Sequence, residues 1–268
     1  MKSPLPSQTP AVAGDGLKAE QISRTFGGLT ALKDFSFDVR PGELVGLIGP
    51  NGAGKTTAFN VVTGVYAPTR GHIRLNGHRI DGLTPAQVCA AGIARTFQNI
   101  RLFPKLSVVD NVAVALKRPS HLGLLRTIFL TPGFLSAESH AQQEAMELLA
   151  TMNLADKHRE LAGSLPYGDQ RRLEIARALA TRPRVLLLDE PAAGMNPQEK
   201  VELTHLITML RERFSLGIWL IEHDMKLVMS ICQRITVLDH GETIAVGTPE
   251  QVQSDPKVIE AYLGEPVA

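Results

Sequence analysis

Residues 49–57, GPNGAGKTT, combine glycines, a lysine and two threonines in a spacing that suits phosphate binding. They match the pattern G-x-x-x-x-G-K-[ST], in which glycines let backbone N–H groups close around phosphate oxygens. The lysine can reach β- and γ-phosphates, and the first threonine hydroxyl can hold Mg²⁺. A chance match is the weaker interpretation, because the stretch follows an apolar strand and opens a helix. We therefore predict a phosphate site formed by Gly49, Pro50, Asn51, Gly52, Ala53, Gly54, Lys55, Thr56 and Thr57.

Two adjacent acids close the apolar stretch RVLLLDEP at residues 184–191. This pattern is typical of a buried strand whose carboxyl end meets a ligand. Asp189 then suits Mg²⁺, directly or through water, and Glu190 suits the acceptance of a proton from an attacking water. The alternative is that Asp-Glu-Pro forms only a polar strand exit, and the nearby phosphate motif weakens that alternative.

A third stretch, SLPYGDQRRLEIARAL at residues 164–179, has a different character. Its apolar spacing predicts a helix from Asp169, entered through a turn at Pro166, Tyr167 and Gly168. Backbone N–H groups at a helix start lack internal partners, so such an end attracts anions. The stretch contains no lysine, and its residues leave open what would bring an anion there.

The elements that must position these residues follow an α/β pattern. Apolar strands alternate with helices over residues 17–98 and 181–265, which indicates a mostly parallel, buried sheet. About residues 100–165 are mostly helical in pattern and interrupt this core, and residues 1–16 are predicted to be a mobile tail. Helices are predicted over residues 108–117, 137–152, 169–181, 197–213 and 224–231, and a hairpin over residues 234–247.

Composition excludes several classes of protein. A formal net charge of +1 gives no strong electrostatic footprint for nucleic acid. Cys89 and Cys232 are far apart, which suits a reducing compartment and predicts neither a disulfide framework nor a zinc site. We expect no transmembrane span, because no apolar run reaches the length that a bilayer requires. The first residues also lack the apolar core of a secretory signal.

The phosphate motif, the stretch at residues 164–179, LLLDEP and IEHD occur in the order typical of the ATP-binding subunits of ABC transporters. The resemblance covers residues 17–265. It implies an α/β fold, namely a P-loop NTPase core of the ABC ATPase type with a mostly parallel sheet, an antiparallel β subdomain and an inserted helical subdomain. It also implies that the phosphate loop of one subunit faces the signature turn of another. Tyr167, Gly168 and Asp169 would then close over the γ-phosphate of ATP held by the partner.

The resemblance assigns roles to three further residues. Phe26, in RTFGGLTAL, matches the aromatic residue that stacks on adenine, although a single aromatic more commonly belongs to a core. Gln98, in ARTFQNIRLF, matches the glutamine that contacts Mg²⁺ and the attacking water, and its alternative is an ordinary loop residue. His223, in IEHD, matches the histidine that contacts the γ-phosphate, and without the other motifs it would be a capping or surface histidine.

Two places depart from the family's pattern. Pro166 stands where the usual signature, Leu-Ser-Gly-Gly-Gln, has its serine, so backbone N–H groups must carry more of the γ-phosphate contact. Met195 and Asn196 replace a usual Leu-Asp pair, which puts in doubt the cross-subunit contact of that aspartate. Lys55 and Glu190 are retained, so ATP hydrolysis is still expected.

YGDQRRLEIARAL, DEPAAGMNP, IEHDMKLVM and IEAYLGE resemble the ATPases of branched-chain amino acid importers. The nearest alternatives are the ATPases of urea or amide importers and of lipopolysaccharide export. A soluble ABC ATPase that acts on ribosomes or DNA is less supported, because the chain has one cassette, no heptads and no basic patch. A P-loop kinase or GTPase is also less supported, because it would lack the signature turn, and no guanine-reading motif is present.

The resemblance implies ATP and Mg²⁺ as cofactors. The implied partners are a second ATPase subunit, identical or paralogous, and two membrane-spanning permease subunits. A periplasmic or extracellular substrate-binding protein is implied indirectly, and no nucleic acid is expected. The implied location is peripheral, on the cytoplasmic face of the inner cell membrane.

Overall fold

The computed structural model describes residues 15–116 and 132–263, which form two sheets with helices packed around them. Residues 1–14 and 264–268 lie outside the described residues. The predicted tail over residues 1–16 and the predicted domain bounds of 17–265 therefore stay predictions. None of the described helices is both long and apolar enough to cross a lipid bilayer.

The regular elements confirm the α/β pattern. The strands are β1 (Leu17–Phe26), β2 (Leu29–Val39), β3 (Leu44–Ile48), β4 (Arg70–Leu75), β5 (His78–Arg79), β6 (Ile93–Arg95), β7 (Val185–Asp189), β8 (Gly217–Ile221), β9 (Arg234–Asp239) and β10 (Glu242–Gly247). The helices are α1 (Lys55–Val62), α2 (Pro85–Ala91), α3 (Val108–Leu116), α4 (Pro132–Thr151), α5 (Tyr167–Ala180), α6 (Pro197–Phe214), α7 (Met225–Ile231), α8 (Pro249–Gln253) and α9 (Pro256–Leu263).

The larger sheet has six strands in the order β10-β9-β3-β8-β7-β6, and only the edge pair β10–β9 is antiparallel. Every residue of β3, β7 and β8 is buried, as a parallel sheet covered on both faces requires. Register aligns Leu47 and Asp189 with Ile221 on either side of it. The segments that follow β3, β7 and β8 therefore all leave the sheet at the side where the carboxyl ends of these strands lie.

The smaller sheet is antiparallel, with the order β2-β1-β4-β5. Phe35, Phe37 and Val39 of β2 alternate toward the core, as the sequence predicts. Helices α3 and α4 pack on α5, and their apolar residues share one buried cluster with the larger sheet. These features confirm the predicted fold class.

The start of α5 differs from the prediction. The helix begins at Tyr167 rather than Asp169, with Pro166 as the residue before it, at φ −54°. Proline restricts φ to values compatible with helix entry, and its missing N–H is not required there. Tyr167 and Gly168 consequently belong to the first helical turn rather than to a preceding turn.

One aromatic cluster joins the two sheets. Trp219 of β8 is fully buried, and its ring stacks on Phe37 with the ring centroids 4.0 Å apart. The ring of Phe59, from α1, lies 4.5 Å from Trp219 on the centroid measure. This cluster therefore packs α1, the helix that begins at Lys55, against β8.

We expect Trp219→Ala to lower the free energy of unfolding by about 3–5 kcal/mol, because it removes buried aromatic surface and leaves a cavity. Val201→Ala, at a half-exposed position of α6, is the control and should stay within about 0.5 kcal/mol of wild type. Urea unfolding followed by circular dichroism measures both. Equal shifts in the two variants would contradict the role of the aromatic cluster.

Candidate functional site

The loop at residues 49–57 connects the end of β3 to the start of α1. Gly54 lies at the N-cap of α1 with φ 101°, and a Cβ there would approach Ala31 O to 2.6 Å. Gly49 has φ 150°, and a Cβ there would lie 2.0 Å from Leu238 O. Both positions require glycine, so the loop is shaped by its neighbours before any ligand binds.

Lys55 is the first residue of α1, and its side chain turns back over the loop. Its ammonium donates to Gly49 O at 2.7 Å and to Pro50 O at 2.8 Å. Burial lowers the pKa of Lys55, and the carboxylates of Glu190 and Asp189 oppose that shift. A cation at a helix N-terminus, among backbone N–H groups, makes this loop suitable for phosphate.

Asp189 ends β7 beside a residue that the sequence analysis missed. Arg95 of β6 pairs with the Asp189 carboxylate at 2.6 Å, and each side chain is 8% exposed. Arg95 also donates to Asn60 Oδ1 of α1 at 2.6 Å. This arginine therefore orients the acid from the neighbouring strand, and neither the short strand β6 nor a role for Arg95 was predicted from the sequence.

Three predicted residues meet at one carboxylate oxygen. Gln98 Nε2 donates to Glu190 Oε2 at 2.8 Å, and His223 Nδ1 lies 3.6 Å from the same oxygen. The φ of Glu190 is 45°, a left-handed conformation that is costly for a residue with a side chain. Its N–H donates to Ile221 O at 2.9 Å, which fixes the strained position against β8. The arrangement places a proton acceptor between an amide and an imidazole.

The start of α5 makes no polar contact with the phosphate motif in the described part of the chain. No hydrogen bond or ion pair among the described residues joins Pro166, Tyr167, Gly168 or Asp169 to the loop at residues 49–57. No side chain caps the helix, and Pro166 is exposed. The first-turn N–H groups therefore have no side-chain cap within the subunit.

The side chains near this helix start are engaged within the chain. Asp169 pairs with Lys157 at 2.5 Å. Gly168 is buried, and a Cβ there would lie 3.2 Å from Glu199 Oε1. Asp169 can therefore offer its backbone to a phosphate, but its carboxylate is committed to the lysine.

Phe26 lies at the end of β1 and is 37% exposed. Its ring meets Tyr66 edge-on at 5.1 Å, and the Arg24 guanidinium lies 4.6 Å from the ring centroid. Arg24 also donates to Ala67 O at 2.9 Å. One side of the Phe26 ring is supported and the residue stays accessible, so a planar base can stack there.

A buried acid beside His223 is a second residue that sequence reasoning missed. Glu222 is 1% exposed and accepts the Ala192 N–H at 2.8 Å and the His223 N–H at 3.2 Å. Burial raises the pKa of Glu222, and the backbone N–H groups partly oppose this shift. Glu222 therefore joins the loop after β7 to the loop after β8. In the sequence, the only indication of this role was its position in IEHD, directly after an apolar stretch.

A phosphate loop, a strand-end acid pair and a separate exposed helix start, on this fold, define a P-loop ATPase of the ABC class. Residues 32–193 match the family described as "ABC transporter", and residues 242–268 match "Branched-chain amino acid ATP-binding cassette transporter". The chain belongs to the ABC transporter ATP-binding proteins, and it is an ATPase.

The sequence is similar to curated transport proteins. It is 48% identical over 249 residues to the high-affinity branched-chain amino acid transport ATP-binding protein BraF of Pseudomonas aeruginosa, covering 93% of this chain and 98% of BraF. It is 47% identical, with the same coverage, to LivG of Escherichia coli, which carries the same description. The lipopolysaccharide export system ATP-binding protein LptB of Acidithiobacillus ferridurans is 36% identical, with 93% and 97% coverage.

Solved structures agree with this assignment. The ADP conformation of MJ1267, an ATP-binding cassette of an ABC transporter, superposes with a TM-score of 0.81 at 31% identity. That match covers 93% of this chain and 98% of the other. The fold and the binding of an adenine nucleotide are therefore established for the family to which this chain belongs.

We expect the stability of Glu222→Gln relative to wild type to rise with pH. The raised pKa means that folded wild type holds the proton more tightly than the unfolded chain, so its stability falls as pH rises above 4.5. Glutamine has no such titration. Thermal midpoints of both proteins at about pH 5 and about pH 7.5 measure the difference.

Glu250→Gln is the matched control. The Thr248 hydroxyl lowers the pKa of the exposed Glu250, so its contribution to stability is lost as pH falls. Its midpoint difference should therefore change in the opposite direction and by little. A midpoint difference for Glu222→Gln that is constant with pH would contradict a buried acid that titrates.

Proposed function

We propose that this ATPase energises an importer of branched-chain amino acids. The observation that carries the substrate class is the 48% and 47% identity, over 93% of the chain, to two proteins described as branched-chain amino acid transport ATP-binding proteins. LptB, which serves lipopolysaccharide export, is 36% identical over the same length, so export is less supported.

Hydrolysis is assigned to the cluster around Glu190. Its carboxylate accepts the proton of the attacking water, a role typically worth about 10²–10⁴-fold in rate. Gln98 orients that water from one side, and His223 donates toward the γ-phosphate from the other. Lys55 binds the β- and γ-phosphates, and Phe26 stacks on the adenine.

The hydroxyl and carboxylate oxygens near the phosphate motif are of the kind that binds Mg²⁺. Mg²⁺ prefers oxygen ligands, and in nucleotide sites it is usually held by phosphates together with one or two protein groups. The Thr56 hydroxyl and the Asp189 carboxylate would hold the ion, with Gln98 at its edge. When bound, Mg²⁺ neutralises charge on the phosphate oxygens.

The start of α5 is assigned to a second ATPase subunit. In the dimer, identical or paralogous, the N–H groups of Tyr167, Gly168 and Asp169 close over the γ-phosphate bound by the partner's loop. The uncapped helix start and the exposed Pro166 support this assignment. ATP then stabilises the closed dimer, because it contacts both subunits only in that state.

A groove near the Gln98 loop is assigned to the membrane subunits. The groove has a volume of about 370 Å³ and is lined in part by Phe97, Phe103, Val114, Ala115, Arg177 and Ala178. Phe103 is 48% exposed, which suits an apolar partner. In the dimer, each ATPase subunit would receive one of the two permease subunits in this groove, at the cytoplasmic face of the inner membrane. A periplasmic or extracellular binding protein would select the amino acid.

We expect Glu190→Gln to keep ATP affinity and lose about 10²-fold or more of turnover, because an amide cannot accept the proton. In a strain that lacks the gene and any paralogue, the variant should fail to restore uptake of labelled leucine, isoleucine and valine. Phosphate release, ATP binding and uptake are measured on the same variants.

Glu202→Gln is the control, since Glu202 pairs with Arg172 on the exposed side of α6. It should restore uptake and turnover. Turnover of Glu190→Gln within about twofold of wild type would remove the proton-acceptor role. Unchanged amino acid uptake in the deletion strain would reject the substrate class and leave the ATPase assignment intact.

We expect Pro166→Asp to lower turnover about fivefold or more relative to Pro166→Asn, because its negative charge meets the partner's γ-phosphate. The two replacements are nearly isosteric, and both side chains favour the N-cap position. ATP binding to the isolated subunit should be the same for both. Steady-state phosphate release and ATP titration measure the two effects.

Mixing gives a second measure once wild type is shown to be active as a homodimer. Dimers of one Lys55→Ala subunit and one Pro166→Asp subunit collect both lesions at one site and leave the other site intact. Turnover should exceed that of either variant alone. Loss of ATP binding by the isolated Pro166→Asp subunit would place residue 166 in its own site and refute the composite arrangement.

A further inference from the structure

Two charged side chains of α5 are almost completely buried, although neither belongs to the cluster of Gln98, Glu190 and His223. Arg171 has no exposed surface, and Glu174 is 2% exposed. Arg171 Nη1 donates to Glu174 Oε2 at 2.8 Å. Charges lose their hydration on burial, so a pair of this kind depends on further hydrogen bonds. The Nη atoms of Arg171 have such partners, whereas its buried Nε has none among the described residues.

The further partners are backbone groups of the loop that carries Gln98. Arg171 donates from Nη1 to Phe97 O at 2.6 Å and from Nη2 to Gln98 O at 2.8 Å. Glu174 Oε1 accepts the N–H groups of Phe97 at 3.4 Å and Arg101 at 3.2 Å. One ion pair therefore holds this loop through both its carbonyl and its N–H groups.

The pair and the loop depend on each other. Burial raises the pKa of Glu174, and Arg171 together with the two loop N–H groups opposes that shift. A loop in another conformation would leave buried charged atoms without partners, which is costly. Residues 96–103 have no regular secondary structure. Side chains of α5 hold the backbone at residues 97, 98 and 101, and Asn111 of α3 holds it at Phe103.

The conformation of the loop that carries Gln98 also determines the contact between Gln98 and Glu190. It places Gln98 Nε2 at 2.8 Å from Glu190 Oε2. The same guanidinium also donates to the Tyr167 hydroxyl at 3.0 Å, so the start of α5 and the Gln98 loop share one anchor. A displacement of α5 would therefore displace Gln98.

We propose that Arg171 and Glu174 are positioning residues for ATP hydrolysis, which hold the loop at residues 97–101 so that Gln98 meets Glu190. The proposal rests on the role proposed above for Gln98. It differs from a structural role in one measurable way: loss of the pair costs turnover only while Gln98 is present to be positioned.

A double-mutant cycle measures this dependence. Arg171→Lys keeps the charge beside Glu174, but a single ammonium cannot reproduce the fork that reaches both carbonyl groups. We expect its kcat to fall about tenfold or more, since small misplacements of a positioned group are costly. ATP affinity of the isolated subunit should stay within about twofold of wild type, because the loop at residues 49–57 is untouched.

In the Gln98→Ala background, Arg171→Lys should lower kcat by less than about twofold, because the group that it positions is already gone. Equal fold-losses in the two backgrounds would overturn the proposal and leave the pair a structural element. Gln98→Ala with wild-type turnover would overturn both the proposal and the role of Gln98 on which it rests.

Arg182→Lys is the matched control, since Arg182 lies just beyond the end of α5 and pairs with Glu144 at the surface. It should leave kcat unchanged in both backgrounds. Glu174→Gln provides a second cycle if Arg171→Lys does not fold, because it keeps an acceptor for the loop N–H groups and weakens the hold on Arg171. Its loss of kcat should also disappear in the Gln98→Ala background, and persistence of that loss would overturn the proposal.

Discussion

Parallel pairing of β3, β8 and β7 is the constraint on which the site depends. The register aligns Leu47 and Asp189 with Ile221, so the segments that follow these strands leave the sheet at one edge. Phosphate binding uses backbone N–H groups, and the proposed hydrolysis uses the Glu190 carboxylate and the His223 imidazole close to them. A shift of one residue in this register would turn every side chain to the opposite face and separate these groups.

Buried charges then set the orientation of the groups at that edge. Arg95 holds Asp189 from the adjacent strand, and Glu222 binds the N–H groups of two neighbouring loops. Arg171 and Glu174 do the same for the Gln98 loop from a helix. Each buried charge is costly without its partners, so each one restricts the conformations that its loop can adopt.

The two departures from the family's usual pattern have local structural explanations. Pro166 occupies the residue before α5, where its fixed φ suits helix entry, and it leaves the helix start without a side-chain cap. Asn196 caps α6 and accepts the Glu199 N–H at 3.0 Å, while Glu199 accepts the Asn196 N–H at 2.9 Å. Asn196 thus serves the helix of its own subunit, a role that an asparagine fulfils as well as an aspartate.

The sequence by itself determined the phosphate loop, the acid pair at the end of β7 and the alternation of strands and helices. Each of these is a local pattern, in which glycine spacing or apolar periodicity acts over a few residues. The family resemblance added Gln98 and His223, whose types alone carried little information.

Only the tertiary structure decided which groups meet. Glu190 Oε2 is shared by residues from positions 98 and 223, a contact that depends on strand order and register rather than on spacing along the chain. The entry of α5 at Tyr167 follows from one proline's backbone angle, which apolar periodicity does not report. Arg95, Arg171, Glu174 and Glu222 look like ordinary surface charges in the sequence, and burial gives them partners only because distant segments pack around them.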